Sequence, residues 1–206
     1  MMIVQPVTLT GQHVCLEPLS ESHIPELINA GSDPSIWPSV CAWPPGNQHH
    51  PDIMEKYIRD MLALHISGKR LHFAVKYLPS HRLIGMTSYH NYQEAHYGIE
   101  IGGTWFIVTF QKSAVNTECK YLMLKHAFEE LHCIRVQFRA DANNTRSIKA
   151  IKRIGAIQEG VLRNNYIMDG KYYDLNLYSI ICEEWPQVKL KLEQMLSRKI
   201  VPLFSS

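Results

Sequence analysis

Between Tyr97 and Ile154 the apolar residues change their spacing three times, and this constrains the fold more than any other feature. Tyr97–Phe106 reads as a strand. Tyr121, Leu124, Phe128 and Leu131 then recur at three- and four-residue steps, as on one face of a helix, with Glu118, Lys120, Lys125 and Glu129 filling its other faces. Ile134–Ala140 alternates, placing Ile134, Val136 and Phe138 on one side and Arg135, Gln137 and Arg139 on the other. A capped helix follows from about Asn144 to Ile154 and stops at Gly155.

The flanking segments extend this pattern. His13–Glu17 reads as a short strand closed by Pro18, and Ser22–Ala30 as a helix with Ser22 as its cap and Pro25 in the first turn. The stretch SDPSIWPSVCAWPPGNQHHP has the composition of an irregular loop with aromatic anchors. A helix starts at Asp52 and ends at Gly68. Phe73–Tyr77 and Leu83–Tyr89 are strands joined by a turn containing Pro79 and Ser80. Val161–Met168 and Lys171–Ile181 flank Asp169-Gly170, the dipeptide a type I′ hairpin prefers, and Trp185, Val188, Leu192 and Met195 mark a last helix. The order is strand, two helices, three strands, helix, strand, helix, two strands, helix. This is a mixed α/β (α+β) layout around one sheet, expected to form a single domain over 1–206, with a core at about 9–181 and a C-terminal helix and tail at 182–206.

Composition narrows the function classes. Hydrophobic residues make up 46% and charged residues 19% of 206, the balance of a globular protein with a sizeable core. Lys plus Arg is 21 against 19 for Asp plus Glu, and this weak surplus gives no support to a nucleic-acid partner. Cys15, Cys41, Cys119, Cys133 and Cys182 are odd in number and lack CxxC spacing, so neither disulfides nor a structural zinc site is expected. The histidines are dispersed, without an HxxxH pair and matching acid, so no metal site is expected. With no signal-peptide pattern and no run long enough to span a bilayer, the expectation is a soluble cytoplasmic protein.

Chemistry concentrates in IEIGGTWFIVTFQKSAVNTECK, Ile99–Lys120. A strand ends at Phe106, a loop of small and polar residues follows, and a helix begins near Asn116–Thr117. Helix N-termini present unpaired N–H groups and a positive dipole end, and small residues let such donors converge on a phosphate. Lys112 adds a cation, and Ser113 and Thr117 add hydroxyls. The residues alone allow either an anion site or a solvated loop capped by Asn116. Glu100 stands between Ile99 and Ile101, and alternation places it on the opposite face beside Gly102 and Gly103. It is either a carboxylate on a half-exposed sheet face or a base, direct or through water, for an incoming ammonium, with His90, His96 and Glu94 as alternatives.

Gln111-Lys112-Ser113-Ala114-Val115-Asn116 resembles the Gln/Arg-x-x-Gly-x-Gly/Ala acetyl-CoA motif of the GNAT superfamily. The phrases IEIGGTW, VNTECKYLMLKHAFEEL, IRVQFRADANNTRSIKAIKRIGAIQEGVLR and DGKYYDLNLYSII resemble its branch of Rim-type ribosomal-protein acetyltransferases, over about Leu9 to Ile181. The resemblance implies a mostly antiparallel central sheet with helices on both faces. It also implies direct transfer of acetyl from acetyl-CoA to a primary amine in a ternary complex, without a metal. A homodimer is common in that family. By the same resemblance the pantetheine arm runs along Trp105 and Phe106, and the pyrophosphate sits on Gln111–Asn116 ahead of Thr117. Asn144 of an Asn-x-x-Ser pattern contacts the CoA arm, and Ser147 protonates the departing thiolate, Ile151 standing where many relatives carry a tyrosine. Glu100 serves as base. Trp37 and Trp43 on one side, and Asp174 with the Asp169-Gly170 hairpin on the other, flank the acceptor entrance. Ala114 and Asn116 replace both motif glycines; a positive φ at Ala114 would be costly, whereas an ordinary helical geometry would tolerate it. Ala114 and the missing tyrosine together keep a non-catalytic acyl-CoA-binding module as the alternative.

Overall fold

The strand that ends at the motif is neighboured on one side by a strand it cannot reach through a tight turn, and this sets the architecture. The structure, a computed structural model, describes residues 1–39, 49–168 and 170–198. Its strands are β1 (Leu9–Thr10), β2 (Val14–Pro18), β3 (Leu71–Tyr77), β4 (Arg82–Gln93), β5 (Gly98–Phe106), β6 (Arg135–Asp141), β7 (Ile157–Met168) and β8 (Lys171–Ile181). They form one sheet in the order β1-β2-β3-β4-β5-β6-β8-β7. All neighbours are antiparallel except β5 and β6, whose parallel pairing needs a crossover, and helix α3 (Ala114–Lys125) provides it.

Helices α1 (Ile24–Ala30) and α2 (Pro51–Ile66) cover one face, packing Leu27, Met54, Ile58 and Leu62 with Ala74, Met86 and Trp105. On the other face α3, α4 (Thr145–Arg153) and α5 (Trp185–Ser197) share a core in which Cys119, Met123, Ile151, Ile154 and Leu192 join Phe73, Ile99, Ile101 and Phe138. No helix among the described residues is long and apolar enough to cross a membrane.

The element order matches the sequence reading, with a two-residue β1 added at the edge. Local boundaries differ for identifiable reasons. Ser20, not Ser22, precedes the first helical segment, a 3-10 turn at Glu21–His23 that runs into α1. Helix α3 starts at Ala114 because the Ser113 side chain caps it, accepting from the Val115 N–H at 3.2 Å, so Asn116 lies inside the first turn. Ile134 precedes β6 and is 55% exposed instead of facing the core with Val136 and Phe138. Strand β7 begins at Ile157, four residues before the expected start. Trp43 and Asp169 lie outside the described residues, while Gly170 has φ +73°, as a tight hairpin turn requires.

The largest departure concerns α3. Glu118 and Lys120, expected on its outer faces, are both buried. Glu118 accepts the backbone N–H groups of Gln12, His13 and Val14 at 2.6, 2.9 and 3.1 Å, tying the helix to the start of β2.

Candidate functional site

Strands β5 and β6 pair only through Gly98, Ile99 and Glu100 with Arg135, Val136 and Gln137. Beyond that point each continues without the other, and the gap opens a cleft of about 1010 Å³. Such a separation leaves backbone groups of β5 available to an extended ligand, which is how a sheet edge recruits an added strand.

A bulge shapes this end of β5. Gly102 opposes Ser88 and Trp105 opposes Met86, so Gly103 and Thr104 together face Thr87. Gly103 takes φ +60°, a conformation that favours glycine. The extra residue reverses the alternation. Ile99 and Ile101 point into the α3 core; past the bulge, Phe106 joins that core while Trp105 joins the α1/α2 core.

Glu100 sits where the strands part. It is 2% exposed, so the half-exposed sheet-face reading does not hold. Arg139 Nε donates to Oε1 at 2.6 Å and His90 Nε2 lies 3.0 Å from the same oxygen; Gln137 Nε2 donates to Oε2 at 3.2 Å. Burial pushes its pKa upward, but hydrogen bonds and charge from His90 and Arg139 outweigh burial and hold the carboxyl below its ordinary range. His90 is itself buried against Gly102, where a Cβ would lie 2.6 Å from the ring's Cε1. Glu94 and His96 form an exposed turn outside the cleft lining.

At the other end of the cleft the motif loop meets α4. Gln111 Nε2 donates to Phe106 O at 3.2 Å, and Gln111 Oε1 accepts from Arg146. Ser113 Oγ donates to Phe110 O at 2.6 Å. The left-handed residue of this loop is Lys112, φ +60°; Ala114 is the first residue of a regular helix and is not among the positive-φ positions. The alanine methyl therefore imposes no backbone strain. Asn144 caps α4, its side chain accepting from Ser147 N–H at 2.9 Å, and this places Ser147 in the first turn, facing the cleft.

Glu100, Trp105, Phe106, Gln111, Lys112, Ser113, Asn116, Asn144 and Ser147 thus line one cleft. Ala114 and Val115 are not in that lining, and Val115 is packed in the core. Thr117 is buried and accepts from Arg153 Nη1 at 2.8 Å. Trp37 is 8% exposed, 5.3 Å from Trp105 between ring centroids, and donates to Gly31 O at 2.9 Å; its neighbour Ile36 lines the cleft instead. Asp174 accepts from Asn164 N–H at 2.8 Å and lines a separate shallow pocket with Val161–Asn165.

Sequence reasoning did not single out Arg70, Lys120, Arg139 or Arg146, which also line the cleft, nor Tyr166, whose hydroxyl donates to the buried Asp141. The alternation of β6 was the available signal for Arg139. With Lys112, Lys149 and Arg153 these cations face only Glu100 and Asp141 as described carboxylates of the lining. The resulting positive potential suits a polyanionic ligand. Among the described residues no cluster of three or more His, Cys, Asp or Glu side chains could hold a metal ion.

Comparison with known proteins follows the same lines. The family described as acetyltransferase (GNAT) domain matches residues 13–157. YdaF of Bacillus subtilis (strain 168), provisionally named a ribosomal N-acetyltransferase, is 34% identical over 103 residues, which is 50% of this chain and 56% of that protein; the match therefore spans about half of that relative's length. A provisionally assigned acetyltransferase from T. thermophilus is 35% identical with a TM-score of 0.78, covering 95% of this chain and all of that one (100%). Mycobacterium smegmatis RimJ, solved with CoA-disulfide, shares the fold at 19% identity and a TM-score of 0.76, covering 92% and 95% of the two chains.

Proposed function

The chain belongs to the GNAT acetyltransferase family, and from that membership we propose that it transfers acetyl from acetyl-CoA to a primary amine by direct attack in a ternary complex. The observation that carries this reading is the cleft where β5 and β6 part, closed at one end by a cationic loop and the α3 N-terminus.

The α3 N-terminus suits a pyrophosphate because its first N–H groups lack helical partners and its dipole favours negative charge. Lys112 and the side chain of Asn116 add donors at that end. The pantetheine arm would run beside Trp105 and Phe106, using β5 backbone groups that β6 leaves unpaired. A β5 backbone N–H near the bulge would polarise the thioester carbonyl, an effect that contributes about 3–4 kcal/mol in comparable oxyanion sites.

Ser147, half-buried in the first turn of α4, is the proposed acid for the departing thiolate. A thiolate leaves readily near neutral pH, so a weak donor suffices. Glu100 is the proposed base. Its lowered pKa makes it a poor acceptor for a free ammonium and suits it to act later. The acceptor attacks as the neutral amine, its ammonium proton left to solvent; once nitrogen has bonded to the carbonyl carbon, the remaining N–H becomes far more acidic, and an ionised carboxylate can take that proton. The non-catalytic alternative rests on Ala114 and on Ile151 standing where many relatives carry a tyrosine; the helical backbone at Ala114 weakens the first ground, and the turnover assay below tests the second. The name of YdaF, provisionally a ribosomal N-acetyltransferase, favours a protein amine over a small one, and we take a protein N-terminus as the first acceptor class to try, with small amines next.

Calorimetric titration with acetyl-CoA, before and after Ala114→Glu, tests the cofactor assignment. The carboxylate at the helix start repels phosphate, so binding is expected in the native protein and lost in the variant. Absence of binding by the folded native protein overturns the reading. Thiol release on adding peptides with free N-termini then tests turnover.

A further inference from the structure

Helix α3 carries a charged residue that none of these steps uses. Lys120 is 7% exposed and lines the cleft together with Thr104 and Phe106. Its Nζ donates to Thr104 Oγ1 at 2.7 Å and to Thr87 Oγ1 at 3.4 Å. The two hydroxyls are 2.8 Å apart, and Thr87 donates onward to Met123 Sδ at 3.6 Å. None of the ion pairs among the described residues includes Lys120. Burial lowers its pKa to about 8, the mark of a cation without a counter-ion.

An ammonium has three N–H bonds to donate, and the threonine hydroxyls take two. A buried donor left unused is costly, and an apolar side chain would pack beside Cys119 and Met123 without that cost. The site is also built for the cation, because the bulge at Gly103 brings Thr104 within reach of α3. The remaining donor therefore points to a ligand in the cleft. Lys120 stands four residues beyond Asn116, about 6 Å further along the helix axis. The ligand segment nearest to it is then the one after the pyrophosphate, which offers neutral carbonyl oxygens.

We propose that Lys120 donates its third N–H to a carbonyl oxygen, amide or thioester, of the acyl-pantetheine arm and so positions that arm against β5. This rests on the acetyl-CoA reading of the cleft.

The test is calorimetric titration of the full chain and of Lys120→Met with two probes, acetyl-CoA and adenosine 3′,5′-bisphosphate, which lacks the arm. Removing a charge-assisted hydrogen bond should weaken acetyl-CoA by about tenfold or more and leave the bisphosphate within about twofold. Equal losses for both probes mean a long-range charge effect and overturn the assignment, as does no loss for either. Native protein that binds acetyl-CoA alongside an unaffected variant defeats only the role of Lys120. Native protein that binds neither probe defeats the acetyl-CoA reading and this inference with it. Should the variant not fold, the native protein still decides. Acetyl-CoA affinity should decline between about pH 7 and pH 9.5 as the ammonium deprotonates, while bisphosphate affinity stays level; level affinity for both overturns the proposal. Of the charged neighbours, the Cys119 thiol is pushed up to about 12 and the Arg153 guanidinium, though burial lowers its pKa, stays cationic, so neither changes charge in that window; Glu118 is turned away, bonded to the N–H groups of Gln12, His13 and Val14.

Discussion

Glu100 and Lys120 are both buried ions lining the same cleft, yet they are compensated in opposite ways. Glu100 has Arg139, His90 and Gln137 around its two oxygens, and its pKa falls because these partners outweigh burial. Lys120 has only hydroxyls, and its pKa falls because burial acts with nothing to oppose it but a weak neighbour. For an acid a lowered pKa means its charge is welcome in the fold; for a base it means the charge is resisted. The comparison separates a group that holds the protein together from one held in readiness for something else.

Breaking the first arrangement should have the largest effect. Arg139→Ala leaves Glu100 buried with its nearest partner gone and should cost about 3 kcal/mol in urea unfolding at pH 7, the low end for buried pairs because Arg139 is partly exposed. Since the folded pKa of Glu100 is depressed, its contribution is present above the unfolded carboxylate pKa and lost as pH falls through the folded one. The cost of Arg139→Ala should therefore shrink in acid. A loss that stays constant with pH would show that side-chain packing, not charge, carries the effect.

The second arrangement should respond with the opposite sign. Lys120→Met, measured without ligand at pH 7, should stabilise the protein by about 1–2 kcal/mol, because an apolar side chain replaces an uncompensated ion. The unfolded lysine binds its proton up to about 10.5 and the folded one only to about 8, so native stability from this group rises with pH across that interval. The variant's advantage should vanish toward pH 10.5. Destabilisation at pH 7 would mean the threonine contacts repay the burial and would collapse the contrast with Glu100.

The smallest expected effect concerns the loop between them. Ser113→Ala removes the α3 cap and should cost about 1 kcal/mol in thermal unfolding. Asn116→Ala, inside the helix and not at its cap, should change stability by less. Equal costs would contradict the observed helix start.

Much of the site was legible because its parts are local. The strand–loop–helix at Phe106–Ala114 and the Asn144 cap with Ser147 in the next turn follow from periodicity and capping chemistry over a few residues. The bulge was not legible. Two adjacent glycines permit it, but only the pairing of Gly102 with Ser88 and Trp105 with Met86 shows where the extra residue lies. Asp174 likewise follows an irregularity in the pairing of β7 with β8 between Leu162 and Tyr166, and it turns toward Asn164 there.

By itself the sequence determined the order of elements, the switch from strand to helix at the motif, and the residue types available for anion binding, since each depends on neighbours a few positions apart. Only the tertiary structure decided which charges lie inside. A helix pattern marks Glu118 and Lys120 as polar, but whether polar means solvated depends on what packs against those faces. Here the answers are backbone amides more than a hundred residues earlier for one, and hydroxyls on two sheet strands for the other. Burial and partnership are properties of residues brought together from distant parts of the chain, and no local spacing encodes them.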